Sequence, residues 1–237
     1  MKTLLTLICL GLFSFTHTTA HITKGAPMKK KKLLYVYDAL CGWCFGFSPT
    51  IQKIQQEYKD VLDIEVISGG LNVGESASQL NVIAPYIKTA YKTVEKTCGV
   101  TFGEPFVNGT LQKGTMILNS VPPAIALSIV KERYPDKALE FAALLHTMIY
   151  IDGFEPEDYD KYAIYAAKIG YDKEEFLQKM SDPIYKEKAF ADFSRAMELG
   201  AMSFPTVLIE NNGKYEILFN GYMPYNKVKT VLKTALK

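Results

Sequence analysis

Two cysteines separated by two residues, Cys41 and Cys44, are the side chains of this sequence best suited to covalent chemistry. A thiolate is the nucleophile in disulfide exchange, and a helix N-terminus favours it because unpaired N–H groups and the helix dipole stabilise negative charge. Cys41, at the edge of such a helix, is therefore the candidate nucleophile. Cys44, one turn inward on the same face, is the candidate resolving thiol, close enough to form a disulfide with Cys41.

Two other uses of the pair are a structural disulfide and half of a zinc site. A zinc site needs two more donors, and after the first twenty residues the other Cys and His residues are Cys98, His21 and His146, with no second C-x-x-C. A bridge across two residues constrains little of the unfolded chain, because stabilisation by a disulfide grows with loop length. We therefore expect a redox pair, with no metal and no cofactor other than the Cys41–Cys44 disulfide.

A strand and a helix must position this pair. The residues from Leu33 to Tyr37 are apolar without alternation, which is typical of a central strand covered on both faces. Apolar residues at spacings of four, three and four predict a helix over Cys41 to Tyr58: Phe47, Ile51, Ile54 and Tyr58. A second strand follows, in which Leu62, Ile64 and Val66 alternate with acidic residues before Gly69-Gly70. This order is a βαβ unit.

The far end of the chain predicts two more strands and a helix. The strands are Thr206 to Ile209 and Glu216 to Phe219, joined across the hairpin signal Asn211-Asn212-Gly213. A final helix has an apolar face formed by Tyr225, Val228, Val231 or Leu232, and Leu236. The order here is ββα.

The residues between these two ends read almost wholly as helix. The expected helices are Ser76 to Thr97, Asn119 to Arg133, Lys137 to Tyr150, Glu157 to Ile169, Lys173 to Met180 and Tyr185 to Leu199. The glycine-rich piece from Gly99 to Thr115 is expected to be the longest loop. Within the helical block, Cys98 is expected to be a core residue and His146 a packed, hydrogen-bonded histidine.

The motif and the order of elements together resemble a known family. Residues 37–49, Tyr-Asp-Ala-Leu-Cys-Gly-Trp-Cys-Phe-Gly-Phe-Ser-Pro, and a proline before the later hairpin, Pro205, resemble the thioredoxin fold and its DsbA family, in particular the FrnE-like branch. The resemblance implies one α/β domain of thioredoxin-like fold over residues 33–237, with an all-helical insertion at about 76–182.

The resemblance also implies roles for individual residues. Cys41 would be the nucleophile and Cys44 the resolving thiol, with Gly42 and Trp43 between them tuning the redox pair. The Phe204–Pro205 peptide would be cis, beside the sulfurs, where neighbouring backbone groups are free to pair with an extended substrate.

Two departures from the family pattern concern charge near the cysteines. Gly42 and Trp43 carry no titratable group, so stabilisation of a thiolate should depend on the helix end alone. Tyr35 stands six positions before Cys41, where thioredoxins carry a buried aspartate. The nearest acid is Asp38, which either moves protons for Cys44 or caps the turn; we favour the cap.

Composition excludes several other classes of protein. With 27 Lys and Arg against 25 Asp and Glu, the net charge of +2 is too small for a typical nucleic-acid binder, and 13 Phe and 15 Tyr exclude a disordered chain. The expected activity is exchange with protein thiols and disulfides through a mixed disulfide at Cys41, by a monomer recharged by a redox partner. The alternatives are a glutathione-binding kappa-type transferase or hydroxychromene-carboxylate isomerase, which does not need Cys44, and a thiol-bearing binding module without turnover.

The N-terminus predicts export. Residues 1–20 have a basic start, an apolar stretch from Leu4 to Phe15 and small residues at the end, which is typical of a cleaved signal peptide. Residues 21–32 are expected to be a solvated basic leader. The expected location is the periplasm; translation from Met28 would instead give a cytoplasmic protein.

Overall fold

The computed structural model describes residues 30–236, which form a four-stranded mixed sheet, a two-stranded sheet and the helices around them. In chain order the strands are β1 (Lys31–Tyr37), β2 (Leu62–Ser68), β3 (Ser78–Gln79), β4 (Ile117–Leu118), β5 (Thr206–Asn211) and β6 (Lys214–Asn220). The α-helices are α1 (Gly42–Glu57), α2 (Ala84–Cys98), α3 (Leu111–Lys113), α4 (Val121–Arg133), α5 (Ala138–His146), α6 (Tyr159–Ala167), α7 (Lys173–Met180), α8 (Pro183–Glu198) and α9 (Tyr225–Ala235).

The main sheet has the order β2-β1-β5-β6. Strands β1 and β2 are parallel and are connected through α1, whereas β5 pairs antiparallel with both β1 and β6. The predicted βαβ and ββα units are therefore confirmed, and they meet at the β1–β5 pair. This pairing places the residues just before β5 beside the cysteines that follow β1.

Strand β1 is central because every residue from Leu33 to Tyr37 is apolar and at most 1% exposed. Leu33, Tyr35 and Tyr37 face the larger core with α1, whereas Leu34 and Val36 face a smaller core with Ala196 of α8. The alternation of strand side chains thus places helices on both faces of the sheet. The prediction of a doubly covered strand is confirmed.

The turn between β5 and β6 is a two-residue hairpin. Asn212 and Gly213 both have positive φ, at 51° and 80°. Asparagine and glycine are the residues that adopt this left-handed backbone most readily, and a turn of this kind matches the twist of the strands. The predicted hairpin is confirmed.

The leader predicted for residues 21–32 extends two residues too far, because β1 begins at Lys31. Lys31 and Lys32 belong to β1, where they pair with Leu62 and Asp63 of β2. A lysine can pair through its backbone while its side chain reaches water, and Lys32 is exposed beside Glu65. The strand therefore begins two residues earlier than the apolar run.

The first helix of the inserted block is shorter than predicted. In place of a helix from Ser76, residues 74–82 form two 3₁₀ turns and β3, and α2 begins at Ala84. Pro85 in the first turn explains the later start, because proline lacks the N–H that an interior helical position donates. The pairing of β3 with β4 also means that the insertion is not all-helical.

The piece from Gly99 to Thr115 is not a long loop. It contains a π-helical segment, Pro105–Thr110, followed by α3. A Cβ atom at Gly103 would lie 2.0 Å from the backbone oxygen of Ile151, so this glycine permits a close approach of two segments. The glycine content was misleading because it reflects packing as well as turns.

The remaining predicted helices are present, with ends shifted by a few residues or, in the case of α7, with the same bounds. Within residues 30–236, no helix is both long and apolar enough to cross a membrane. The predicted signal peptide and the alternative start at Met28 lie outside the described residues.

Candidate active site

Cys41 occupies the N-cap of α1 and uses its sulfur to cap the helix. The Cys41 sulfur accepts a hydrogen bond from the Cys44 backbone N–H at 3.3 Å, and its thiol donates to the Phe204 carbonyl oxygen at 3.5 Å. The first contact satisfies one of the free N–H groups of the helix end, and it strengthens when the sulfur is charged. The sequence placed Cys41 at this helix end correctly.

Cys44 lies deeper than Cys41. Cys44 is fully buried, whereas Cys41 remains 8% exposed, and both are free thiols. Burial raises the pKa of Cys44 well above its usual range, and the neighbouring Cys41 raises it further. The inner thiol is therefore held uncharged, while the outer one keeps a small exposed fraction.

The two residues between the cysteines have different surroundings. Trp43 is half-buried and packs on Tyr222, with ring centroids 6.3 Å apart. A Cβ atom at Gly42 would lie 3.7 Å from the ring of Phe102, an ordinary contact distance. Trp43 thus lies between the sulfurs and an aromatic neighbour from beyond β6, which the sequence did not identify.

The Phe204–Pro205 peptide bond is cis, as the resemblance implied. The Phe204 ring packs directly on the backbone at Gly69, where a Cβ atom would lie 2.1 Å from a ring carbon. The Pro205 carbonyl accepts a hydrogen bond from Gly221 N–H at 2.7 Å. These contacts fix the segment whose Phe204 carbonyl meets the Cys41 thiol.

Asp38 is a buried carboxylate with three hydrogen-bond donors. It accepts from the backbone N–H groups of Leu40 and Leu71, each at 2.9 Å, and from the Ser120 hydroxyl at 3.0 Å. Burial raises the pKa of Asp38, and these hydrogen bonds partly oppose the rise. The contact with Leu40 is the predicted turn cap; those with Leu71 and Ser120 join the turn after β1 to the segment after β2 and to the inserted block.

His146 lies on the other side of Asp38. It is 1% exposed, its Nε2 atom is 3.2 Å from the Asp38 carbonyl oxygen, and its ring contacts those of Tyr37, Phe45 and Tyr150. Burial lowers the pKa of His146 to about 4, so the ring is neutral at pH 7. The expected packed histidine is present, but its Nδ1 has no hydrogen-bond partner among the described residues.

Cys98 lies at the edge of the core. It is half-buried at the end of α2 and packs on Gly46 of α1, where a Cβ atom would lie 2.6 Å from the Cys98 sulfur. Partial burial raises the pKa of Cys98 to about 11. The side chain packs against the core as predicted but is not enclosed by it.

The sequence also missed groups close to the cysteines. Tyr35 packs under α1 with its ring centroid 5.9 Å from that of Phe47. The sequence singles out Tyr35 only because it stands where thioredoxins carry an aspartate, and it predicts no role for the hydroxyl. Within residues 30–236, no group of three or more His, Cys, Asp or Glu side chains is placed to hold a metal ion.

A mixed sheet with an inserted helical block, and a C-x-x-C pair at the first helix facing a cis proline, defines a protein of the thioredoxin fold. The family model described as Thioredoxin matches residues 34–230. The chain belongs to the thioredoxin family, and the fold predicted from its sequence, that of DsbA-type proteins, is confirmed.

Individual proteins share this fold at low sequence identity. A putative protein disulfide isomerase from Nitrosomonas europaea is 23% identical, with a TM-score of 0.77 over 88% of this chain and 98% of that one. Cytosolic disulfide reductase DsbM from Pseudomonas aeruginosa is 23% identical, with a TM-score of 0.73 over 86% and 98%, and has also been solved with GSH. ClpXP adapter protein SpxH from Halalkalibacterium halodurans is 24% identical over 88% of this chain and 69% of its own length.

Proposed function

We propose that this protein is a thiol-disulfide oxidoreductase that exchanges disulfides with protein substrates through Cys41. The observation that carries the proposal is the unequal setting of two free thiols at one helix end: Cys41, 8% exposed and in contact with a backbone N–H, and Cys44, fully buried. An outer sulfur can be attacked by a substrate, whereas an inner one can reach only its partner. This division of access suits exchange better than it suits a structural bridge.

The exchange conserves atoms and electrons in two steps. In the oxidising direction, a substrate thiolate attacks the Cys41 sulfur of the Cys41–Cys44 disulfide and forms a mixed disulfide. The electron pair of the broken bond remains on the Cys44 sulfur, which takes a proton from solvent. A second substrate thiolate then attacks the substrate sulfur and displaces Cys41 as a thiolate, which takes a proton from solvent, leaving a substrate disulfide and an enzyme dithiol.

The direction of exchange depends on the reduction potential and on the partner that recharges the pair. Trp43, the only tryptophan, lies between the two sulfurs, so its fluorescence should report their redox state in glutathione buffers. A potential near about −120 to −180 mV would favour an oxidase or isomerase, and one near about −270 mV a reductase.

A Cys44→Ala variant tests the exchange itself. Without the resolving thiol, Cys41 should attack a disulfide of insulin and remain bound in a mixed disulfide, which non-reducing electrophoresis and mass spectrometry detect. The wild-type protein should release the same adduct. Adding Cys41→Ala should abolish the adduct, whereas adding Cys98→Ala should leave it unchanged.

Two outcomes of this experiment would contradict the proposal. No adduct at Cys41 would favour a binding module without turnover. Adducts with glutathione but none with insulin would favour the glutathione-linked alternative, to which the DsbM structure with GSH gives some support. Cys44 argues against that alternative, because glutathione transfer does not need a second buried thiol.

We further propose that the protein is exported, on the basis of the signal-like pattern of residues 1–20. Cell fractionation and the mass of the mature N-terminus test this point. A chain that begins near residue 21 in the periplasmic fraction would support export. A chain that begins at Met28 in the cytoplasm would instead match the compartment named for DsbM.

A further inference from the structure

The Tyr35 side chain lies directly beneath the cysteine end of α1. Tyr35 is in the middle of the central strand and points to the same face of the sheet as Tyr37, with ring centroids 5.6 Å apart. Its ring packs on Phe47, and Cys44, three residues before Phe47, occupies the same face of α1. The Tyr35 ring therefore lies against the part of the helix that carries the inner sulfur.

The Tyr35 hydroxyl is buried and has no well-formed hydrogen bond within residues 30–236. Burial raises the pKa of Tyr35 well above its usual range, and the nearby sulfurs raise it further, Cys44 more than Cys41. The phenol consequently keeps its proton, with a sulfur as its neighbour. A buried hydroxyl without a partner costs free energy, which makes its position notable.

The Asp38 backbone N–H also faces the Cys44 sulfur, but the side chains of Asp38 and His146 are engaged with other groups. The Asp38 side chain accepts three hydrogen bonds, from Leu40, Leu71 and Ser120, and as an acid it would repel a thiolate. His146 is directed at the Asp38 carbonyl oxygen. Tyr35 is thus a buried, uncharged side-chain donor beside the inner sulfur, next to the backbone N–H of Asp38.

Exchange places a negative charge on that sulfur for a short time. When a substrate thiolate attacks Cys41, the broken S–S bond leaves its electron pair on Cys44, in an apolar and fully buried position. A thiolate that lacks hydrogen bonds there is strongly disfavoured. In the reverse direction, Cys44 must become the same thiolate before it attacks Cys41 in the mixed disulfide.

We propose that the Tyr35 hydroxyl donates a hydrogen bond to the Cys44 thiolate that forms in each exchange, in both directions. The inference rests on the proposed function, because it assigns a role within that reaction. Cys44 is uncharged at pH 7 in both the disulfide and the dithiol. The hydroxyl therefore stabilises only the transient thiolate, and its removal should change rates without changing the equilibrium.

Tyr35→Phe, which removes only the oxygen, tests this role. The rates of reduction by glutathione and of reoxidation by glutathione disulfide, followed through Trp43 fluorescence, should both fall about tenfold, since hydrogen bonds to charged groups are strong. The reduction potential should stay at the wild-type value. Tyr171→Phe is the matched control: the Tyr171 hydroxyl is also buried without a partner among the described residues, but the ring packs on Tyr134 and Phe176, and loss of the hydroxyl should leave both rates unchanged.

Three results would overturn the inference in distinguishable ways. Wild-type rates in Tyr35→Phe would remove the role of the hydroxyl and leave the proposed function intact. A changed potential, or equal slowing in Tyr171→Phe, would indicate a structural effect. A wild-type protein that does not exchange with glutathione or insulin would remove the proposed function and this inference with it.

A second substitution keeps the test valid if Tyr35→Phe folds poorly. A fluorinated tyrosine at position 35 retains the ring and the hydroxyl but makes the phenol a stronger donor. Exchange in both directions should then be at least as fast as in the wild type. Slower exchange at an unchanged melting temperature would contradict the proposed hydrogen bond.

Discussion

Two polar regions of this molecule stand in contrast. The inner polar cluster, beneath the cysteines, consists of Asp38, Ser120, His146 and Tyr35, all buried. The outer charged network, on the surface of α4, α7 and α8, consists of Glu132, Arg133, Glu175, Lys179 and Lys188, whose side chains are 26–43% exposed.

The two regions differ in the number of hydrogen-bond partners of each polar group. They also differ in whether water can replace a partner that is lost. Asp38 is 2% exposed and accepts from three donors, whereas Glu132 pairs with Lys179 and Lys188 in contact with solvent. A lost partner in the inner cluster therefore leaves an unsatisfied buried group, but a lost partner in the outer network is replaced by water. Removing a polar group should therefore cost much more stability in the inner cluster than in the outer network, even where the numbers of hydrogen bonds are similar.

The largest difference should appear between removing an aspartate of the inner cluster and removing one from the surface beside the outer network. Asp38→Ala leaves the buried donors of Leu40 and Ser120, and the partly buried N–H of Leu71, without this acceptor and should destabilise the fold by about 3–5 kcal/mol. Asp172→Ala removes the exposed N-cap of α7, which accepts from Glu175 N–H, and should cost about 1 kcal/mol. Urea unfolding measures the free energy of unfolding of both variants. Equal losses of stability would contradict the difference proposed between the two regions.

The next effect is the pH dependence of stability caused by His146. Its folded pKa of about 4 lies below the unfolded value of about 6.5, so the unfolded chain binds more protons between these values, and stability falls as pH falls. From pH 7 to pH 4 this contribution should cost about 3 kcal/mol. Asp38 acts in the opposite direction, because its raised pKa makes the folded state gain stability as pH falls.

The contribution of His146 is isolated by His146→Gln, which keeps a donor for the Asp38 carbonyl but does not titrate. Free energies of unfolding at pH 7 and pH 4 should show a smaller acid-induced loss in this variant, by about 3 kcal/mol. An identical pH dependence in the two proteins would show that His146 is not held neutral by burial.

The smallest effect should come from the outer charged network. Hydrogen bonds from Lys188 and Tyr185 lower the pKa of Glu132 to about 2, yet the carboxylate is exposed and its ion pairs are screened. Glu132→Gln should therefore lower stability by less than about 1 kcal/mol, and the loss should shrink in 1 M salt. A loss as large as that of Asp38→Ala would mean that this surface is as tightly specified as the inner cluster.

Local sequence patterns predicted the parts of the site that depend on neighbours in the chain. The apolar run of β1, the periodicity of α1 and the C-x-x-C spacing place Cys41 and Cys44, and the resemblance to a family added the cis peptide at Pro205. These features need only the residues of one or two elements. The roles of the two cysteines and of Asp38 in exchange stay predictions.

The contacts that sequence patterns did not predict join residues far apart in the chain. Ser120 and His146 reach Asp38 across 82 and 108 positions, and nothing in the periodicity of their helices marks that meeting. The glycine-rich piece after α2 was misread for the same reason, since Gly103 is required by a distant backbone oxygen. Such partners follow from tertiary packing, which a single sequence does not display.

The contact between Phe204 and the backbone at Gly69 restricts how these two positions can vary. A methyl group at position 69 and an aromatic ring at position 204 would occupy the same space. A larger residue at 69 therefore requires a smaller one at 204, and an engineer who reshapes the surface beside Cys41 must change both codons together. Libraries that randomise position 204 alone keep glycine at position 69 and so do not sample these paired changes.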